Sequence, residues 1–205
     1  MASSSAWSSP PAAGPEPEPG GLTARVAERL RSLRMAAGLS LGALAQASGV
    51  SRSMISSIER AESNATAVVL DRLASALDVS LTQLLEVSFE RMHAAPLARR
   101  DAQPQWRDPA SGYERRSLSP PLPDTRLRLV EVRFPPGARV AYESPGKATT
   151  PIEQQVWLLS GAMRVSVGAQ VHELAAGDCL AMRVDRPIVF HNPGDKPARY
   201  LVAQA

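Results

Sequence analysis

Residues 40–60 read Ser40-Leu41-Gly42-Ala43-Leu44-Ala45-Gln46-Ala47-Ser48-Gly49-Val50-Ser51-Arg52-Ser53-Met54-Ile55-Ser56-Ser57-Ile58-Glu59-Arg60, and the fold of the first third of the chain turns on them. Ser40 is placed to cap a short helix with Leu41, Leu44, Ala45 and Ser48 on one face. Gly49 supplies the turn, because glycine enters the left-handed region at little cost. Ser51 caps the next helix, whose Ile55 and Ile58 face inward while Arg52, Ser53, Ser56 and Ser57 face outward. Upstream, Val26, Leu30, Leu33 and Ala37 recur at helical spacing and Gly38 stops them. Downstream, Thr66 opens a fourth helix carrying Leu70, Leu73, Ala74 and Leu77. Ser80 and Gln83 form a capping box for a fifth, with Leu81, Leu84 and Leu85. Helices this short are unstable alone, so residues 22–88 are expected to form a five-helix bundle.

The second and third helices, joined by the glycine turn, make a helix-turn-helix. Such a motif holds its second helix by an apolar inner face and projects short polar side chains into a DNA major groove. Arg52, at the start of that helix, has the reach and fork geometry for a guanine edge. Together with Arg29 through Arg34, Gly38 through Leu41, Leu44-Ala45, Gly49-Val50-Ser51, Ile55 through Glu59 and Leu73 through Val79, these residues resemble the Xre family of phage-repressor-like regulators. The resemblance covers about a third of the chain. It implies base reading from around Ser51 by Arg52, Ser53, Ser56 and Ser57, phosphate contacts by Gln46, Arg60, Asn64 and Thr66, and a buried Arg34–Glu59 ion pair. The chain departs from the family pattern after the third helix, where Ala61 and Ala65 replace the usual Gly and Pro.

Residues 1–21 are rich in Ser, Ala, Pro, Glu and Gly and are expected to be a disordered tail, with Trp7 a solvated bystander. Residues 89–125 hold Pro96, Pro104, Pro109, Pro120, Pro121 and Pro123, and are expected to be a linker with one strand near Tyr113 to Leu118. Residues 126–205 read as strands: Arg126 to Phe134 nearly alternates, and Val156–Leu159 with Met163–Val167 flank Ser160-Gly161 as a hairpin would. The fold class expected is therefore multidomain, α then β: a helical bundle followed by an antiparallel β-barrel or sandwich.

Pro135 through Ala138, Val156 through Gly161, Leu174 through Asp178, and Pro187 through Gly194 resemble landmarks of the cupin family. The resemblance implies a cupin-type barrel joined to the helix-turn-helix bundle, as in small regulators with a cupin sensor. It also locates the family's metal positions. The glutamate position holds Gln154, the second-motif histidine position holds Ile188, and the remaining two fall among Lys147, Ala148, Thr149 and Thr150. None of these is an imidazole or carboxylate, so no metal and no other cofactor is expected. His93, His172 and His191 are scattered. By alternation Gln154, Val156, Leu158, Ile188 and Phe190 share one face, inward by the resemblance, with Tyr142, Val165, Leu180 and Met182 as candidates beside them. Two readings stand open. One is an apolar cavity for a small organic effector, oriented by Gln154, Lys147 and Thr149. The other is a filled barrel serving as a dimerisation platform. Cys179 is expected to be buried packing.

The 205 residues carry a net charge of +3, too mild to identify a nucleic-acid binder without the motif. One cysteine excludes a disulfide framework, and neither a membrane span nor a secretory signal is evident, so a cytoplasmic location is expected. Expected partners are double-stranded DNA with a palindromic operator, a second copy of the chain, and a small organic effector, with no membrane. The expected function is transcription regulation rather than catalysis. The alternatives are an iron-dependent cupin enzyme bearing a helix-turn-helix domain, and an antitoxin-like DNA-binding scaffold.

Overall fold

The computed structural model describes residues 19–85, 96–120, 122, 127–142 and 152–205. Expectations for residues 1–18 with Trp7, for 86–95 with His93, and for Lys147 and Thr149 lie outside the described residues.

Five helices come first: α1 (Pro19–Ala36), α2 (Leu41–Ser48), α3 (Arg52–Glu59), α4 (Ala67–Ala76) and α5 (Leu81–Leu85). Their starts follow the caps. Ser40 Oγ accepts from Ala43 N, Ser51 Oγ from Met54 N, and Thr66 Oγ1 from Val69 N. Ser80 and Gln83 close a reciprocal box at 2.7 and 3.0 Å. Gly49, at φ +67°, ends α2 by donating to Ala45 O. α1 begins three residues before the expected start of the bundle at residue 22, because proline is tolerated in a helix's first turn. Leu30, Leu44, Ile55, Ile58, Leu70, Leu73 and Leu84 fill the bundle's core.

Ten strands follow: β1 (Gln105–Arg107), β2 (Glu114–Ser117), β3 (Arg128–Phe134), β4 (Arg139–Tyr142), β5 (Glu153–Ser160), β6 (Ala162–Val167), β7 (Gln170–Ala175), β8 (Cys179–Arg183), β9 (Ile188–His191) and β10 (Ala198–Gln204). They form two antiparallel sheets of cupin type, ordered β1-β2-β3-β10-β5-β8 and β4-β9-β6-β7.

One expectation is extended and one is corrected. The strand expected near Tyr113 to Leu118 is β2; beyond it, β1 pairs with β2, so the segment extends the larger sheet by two strands and buries Trp106 and Tyr113. Pro104 and Pro109 flank β1 rather than interrupt it. The expected hairpin around Ser160-Gly161 is absent: β5 pairs with β10 and β8, while β6 pairs with β7 and β9. Gly161 instead carries the chain from one sheet to the other at φ +84°, where a Cβ would lie 2.8 Å from Ala198 Cα. Buried Asn192 stitches two further crossings, β3 to β4 and β9 to β10, donating to the carbonyls of Phe134, Pro135 and Lys196 and accepting from Gly194 N.

The two domains are joined by polar contacts as well as by chain. Asp108, 2% exposed in the β1–β2 turn, accepts from Ala67 N at 2.9 Å, so a carboxylate of the sheet domain caps α4 of the helical one. Arg115 Nη2 on β2 donates to Thr82 Oγ1 on α5 at 2.8 Å. α4 also packs on β4.

Candidate nucleic-acid interface and interdomain cavity

The reading helix is held from behind. Ile55 and Ile58 are buried, and Arg34 on α1 makes a two-pronged bond to Glu59, Nε to Oε1 at 2.7 Å and Nη2 to Oε2 at 2.8 Å. Its third arm reaches Leu39 O at 2.9 Å. Both side chains are mostly buried, so the pair sets the angle between α1 and α3 rather than facing solvent.

On the outer side, Gln46, Ser51, Arg52, Ser53 and Asn64 are exposed, and Ser56, Ser57 and Thr66 are partly so. Among the described residues no acidic side chain pairs with Arg52, which leaves its guanidinium available. Arg60 is differently placed. It bonds Ser56 Oγ and forks onto Glu62 at 2.7 Å through both Nε and Nη2. This pairing lowers the Glu62 carboxyl and raises the Arg60 guanidinium relative to their ordinary values. Glu62 also accepts from Ser57 Oγ at 3.3 Å. Two residues of this face escaped sequence reasoning. Glu62 holds the Arg60 guanidinium, and Met54, 41% exposed, presents an apolar side chain among the polar ones. The alternation of α3 places Met54 outward, so its position was readable; the Glu62 fork depends on the turn after α3. That turn is made by Ala61 in the left-handed region, at φ +57°, which glycine adopts at lower cost.

The second feature is a cavity between the inner faces of the two sheets, closed at one end by α4 and α5. Tyr142, Gln154, Ile188 and Phe190 line it. Val156, Leu158 and Val165 are buried but do not line it. Leu180 is half-buried, and Met182 faces a separate concavity beside Gln154. The walls are aromatic: Tyr113 stacks on Phe134 at 5.5 Å, Phe190 on Tyr200 at 6.0 Å, and Tyr142 meets Phe190 edge-on at 6.1 Å. Tyr113 and Tyr142 hydroxyls lie 3.0 Å apart. Burial raises all three tyrosine hydroxyls above their ordinary values, so they stay protonated at neutral pH. The helical domain contributes Asp71, Ser75 and Thr82 to the same walls, and β2 contributes Arg115. Asp71's carboxyl is pushed up to about 7 by burial, against the opposing charge of Arg115.

The donor set does not fit a metal of the cupin kind. Gln154 Oε1 already accepts from Gln204 Nε2 at 2.7 Å, and Ile188 offers only hydrocarbon. Among the described residues no three His, Cys, Asp or Glu side chains converge, and His191 alternates to the face opposite Ile188 and Phe190. Cys179 is exposed, correcting its expected burial: on β8 the alternation turns Met182 inward and Cys179 outward. No helix among the described residues is long and apolar enough to cross a membrane.

Residues 30–84 match the helix-turn-helix family HTH_3, and residues 130–204 match the cupin domain family Cupin_2. The chain is 26% identical over 172 residues to the HTH-type transcriptional regulator SutR of Escherichia coli K12, covering 83% of this chain and 89% of that protein. The crystal structure of an HTH_3 family transcriptional regulator from Vibrio cholerae superposes with a TM-score of 0.69 at 24% identity, covering 90% of this chain and 97% of that one. Hydroxypropylphosphonic acid epoxidase from S. wedmorenis gives a TM-score of 0.46 at 17% identity, over 91% of this chain and 100% of that one.

Proposed function

We propose that this chain, which carries a helix-turn-helix domain ahead of a cupin domain, is a DNA-binding transcriptional regulator whose cupin domain senses a small organic effector and joins two copies of the chain. The outer face of α3 carries the reading: Arg52 stands exposed at the helix start, with Ser53, Ser56 and Ser57 on the same face, while Ile55 and Ile58 anchor the back. A helix of eight residues reads few base pairs. Two copies on a palindromic site multiply the affinity, which supports a homodimer; a DNA-binding role in turn supports a cytoplasmic location.

The cupin domain acts as a sensor and not as an enzyme, in this reading, on the chemistry of its own residues. A carboxamide bonded to a second carboxamide and an isoleucine stand at two of the positions where catalytic cupins place metal ligands. One equivalent of iron per chain after gentle purification, measured by plasma mass spectrometry, would overturn that part.

The test of DNA reading is fluorescence anisotropy with the DNA upstream of the protein's own coding region. Arg52→Ala is expected to weaken specific binding by roughly 10- to 100-fold, the worth of one good bidentate base contact. Equal affinity of the variant for that DNA would remove α3 from the interface.

A further inference from the structure

The cavity contains a carboxyl that the sheet domain does not supply. Asp71 stands on α4, yet it lines the space between the sheets together with the aromatic rings. We propose that this cavity takes a small organic amine, its ammonium pairing with Asp71 of the helical domain and its apolar body lying against Phe134, Phe190 and Tyr200. The proposal rests on the reading of the cupin domain as an effector sensor, and names the class of effector and the residue that grips it.

The walls hold Asp71 and Asp78 beside Arg115 and Arg186, so the choice between cation and anion turns on which charges are already engaged. The two basic side chains there are already engaged. Arg115 donates to Thr82 Oγ1 at 2.8 Å and also bonds the Tyr113 hydroxyl, and Arg186 forks onto Asp185 at 2.6 and 3.1 Å. An incoming carboxylate would meet guanidinium groups whose hydrogen bonding is already partly taken. Asp71, by contrast, pays for burial with a carboxyl that resists ionisation, and an ammonium placed beside it removes that cost. The faces of the tyrosine and phenylalanine rings carry negative charge density, which attracts ammonium and not carboxylate. Tyrosine hydroxyls and the Gln154–Gln204 amide pair add acceptors for its remaining N–H groups. An amine bonded to Asp71 touches α4 itself. Its binding energy therefore acts on the helical domain directly, if the domain positions with and without it differ.

The experiment is isothermal titration of the full chain with three probes of one shape: 2-phenylethylamine, 2-phenylethanol and phenylacetate. The amine is expected to bind and the alcohol and acid to bind at least roughly tenfold more weakly, as a charge-assisted contact requires. Asp71→Asn, equal in size, is expected to lose roughly tenfold or more of the amine affinity, and Asp71→Glu to retain most of it. Circular dichroism of each variant confirms that it is folded. Tighter binding of phenylacetate, an unchanged amine affinity in Asp71→Asn, or no amine binding up to about 1 mM would each overturn the proposal. DNA binding is measured on the same preparations. Wild-type protein that binds DNA but no amine sinks this inference alone, whereas protein that binds neither sinks the regulator reading as well.

Discussion

The outer face of α3 and the cavity between the sheets are assembled by opposite routes. The candidate reading face lies wholly between Gln46 and Thr66, and most of its local geometry follows from the caps of Ser40, Ser51 and Thr66 and the turns at Gly49 and Ala61. The cavity draws Asp71 from α4, Arg115 from β2, Tyr142 from β4, Ile188 from β9 and Tyr200 from β10. A local surface can be altered residue by residue. A cavity shared by two domains cannot, because a change in one wall is felt by the other.

The strongest way to break this contrast is to attack the support behind the reading face. Glu59→Ala leaves Arg34 mostly buried without its partner, and is expected to destabilise the helical domain by about 3–5 kcal/mol in urea unfolding. A loss under about 1 kcal/mol would mean that the pair is ornamental and that α3 is held by its isoleucines alone.

Asp108→Ala tests the joint between the domains. It removes the cap on Ala67 N and the bonds to Ser111, and is expected to cost about 2–3 kcal/mol. The unfolding transition should also separate into two steps, read by helical circular dichroism and by tryptophan fluorescence. A single unshifted transition would show that the domains are coupled by something else.

Asp71 sharpens the comparison through pH. Its carboxyl sits above its ordinary value of 3.8, at about 7, so the folded state binds this proton more tightly than the unfolded chain. Its contribution is present below pH 3.8 and is lost as pH rises towards about 7. Asp71→Asn is therefore expected to gain stability over the wild type across that window, on the order of 2 kcal/mol by its upper end. A difference between the two proteins that does not change with pH would place the carboxyl in water.

On the reading face the effects are smaller. Glu62→Gln frees Arg60 from its fork and is expected to raise DNA affinity by roughly 3- to 10-fold at low salt, with the gain shrinking as salt rises. Unchanged anisotropy titrations would exclude Arg60 from phosphate contact. Ala61→Gly relieves the left-handed backbone at φ +57° and is expected to stabilise the helical domain by about 0.5–1 kcal/mol in thermal unfolding.

The wall shared by the two domains also changes how an effector would be felt. A Pro-rich tether would transmit ligand binding only by altering spacing or freedom. Here the segment from Gln105 to Ser117 is two strands of the larger sheet, and its turn caps α4. Were an effector to bind, the Asp108–Ala67 and Arg115–Thr82 bonds would give it a side-chain route to the helical domain.

Helix starts were readable because a cap acts over three residues: Ser40, Ser51, Thr66 and the Ser80–Gln83 box each act within one turn of their own chain. The inward row of Gln154, Val156 and Leu158 was readable because strand side chains alternate whatever their partner. Strand partners were not readable. Ser160-Gly161 has the composition of a hairpin, and only the close approach of Ala198 shows that glycine is needed there to change sheets. The Ala67–Asp108 cap and the burial of Asp71 against the sheets likewise arise between residues far apart in the chain. Local spacing dictates caps and periodicity. Which distant surface closes over a polar group is decided by packing, because burial is a property of the assembled fold and not of any single segment.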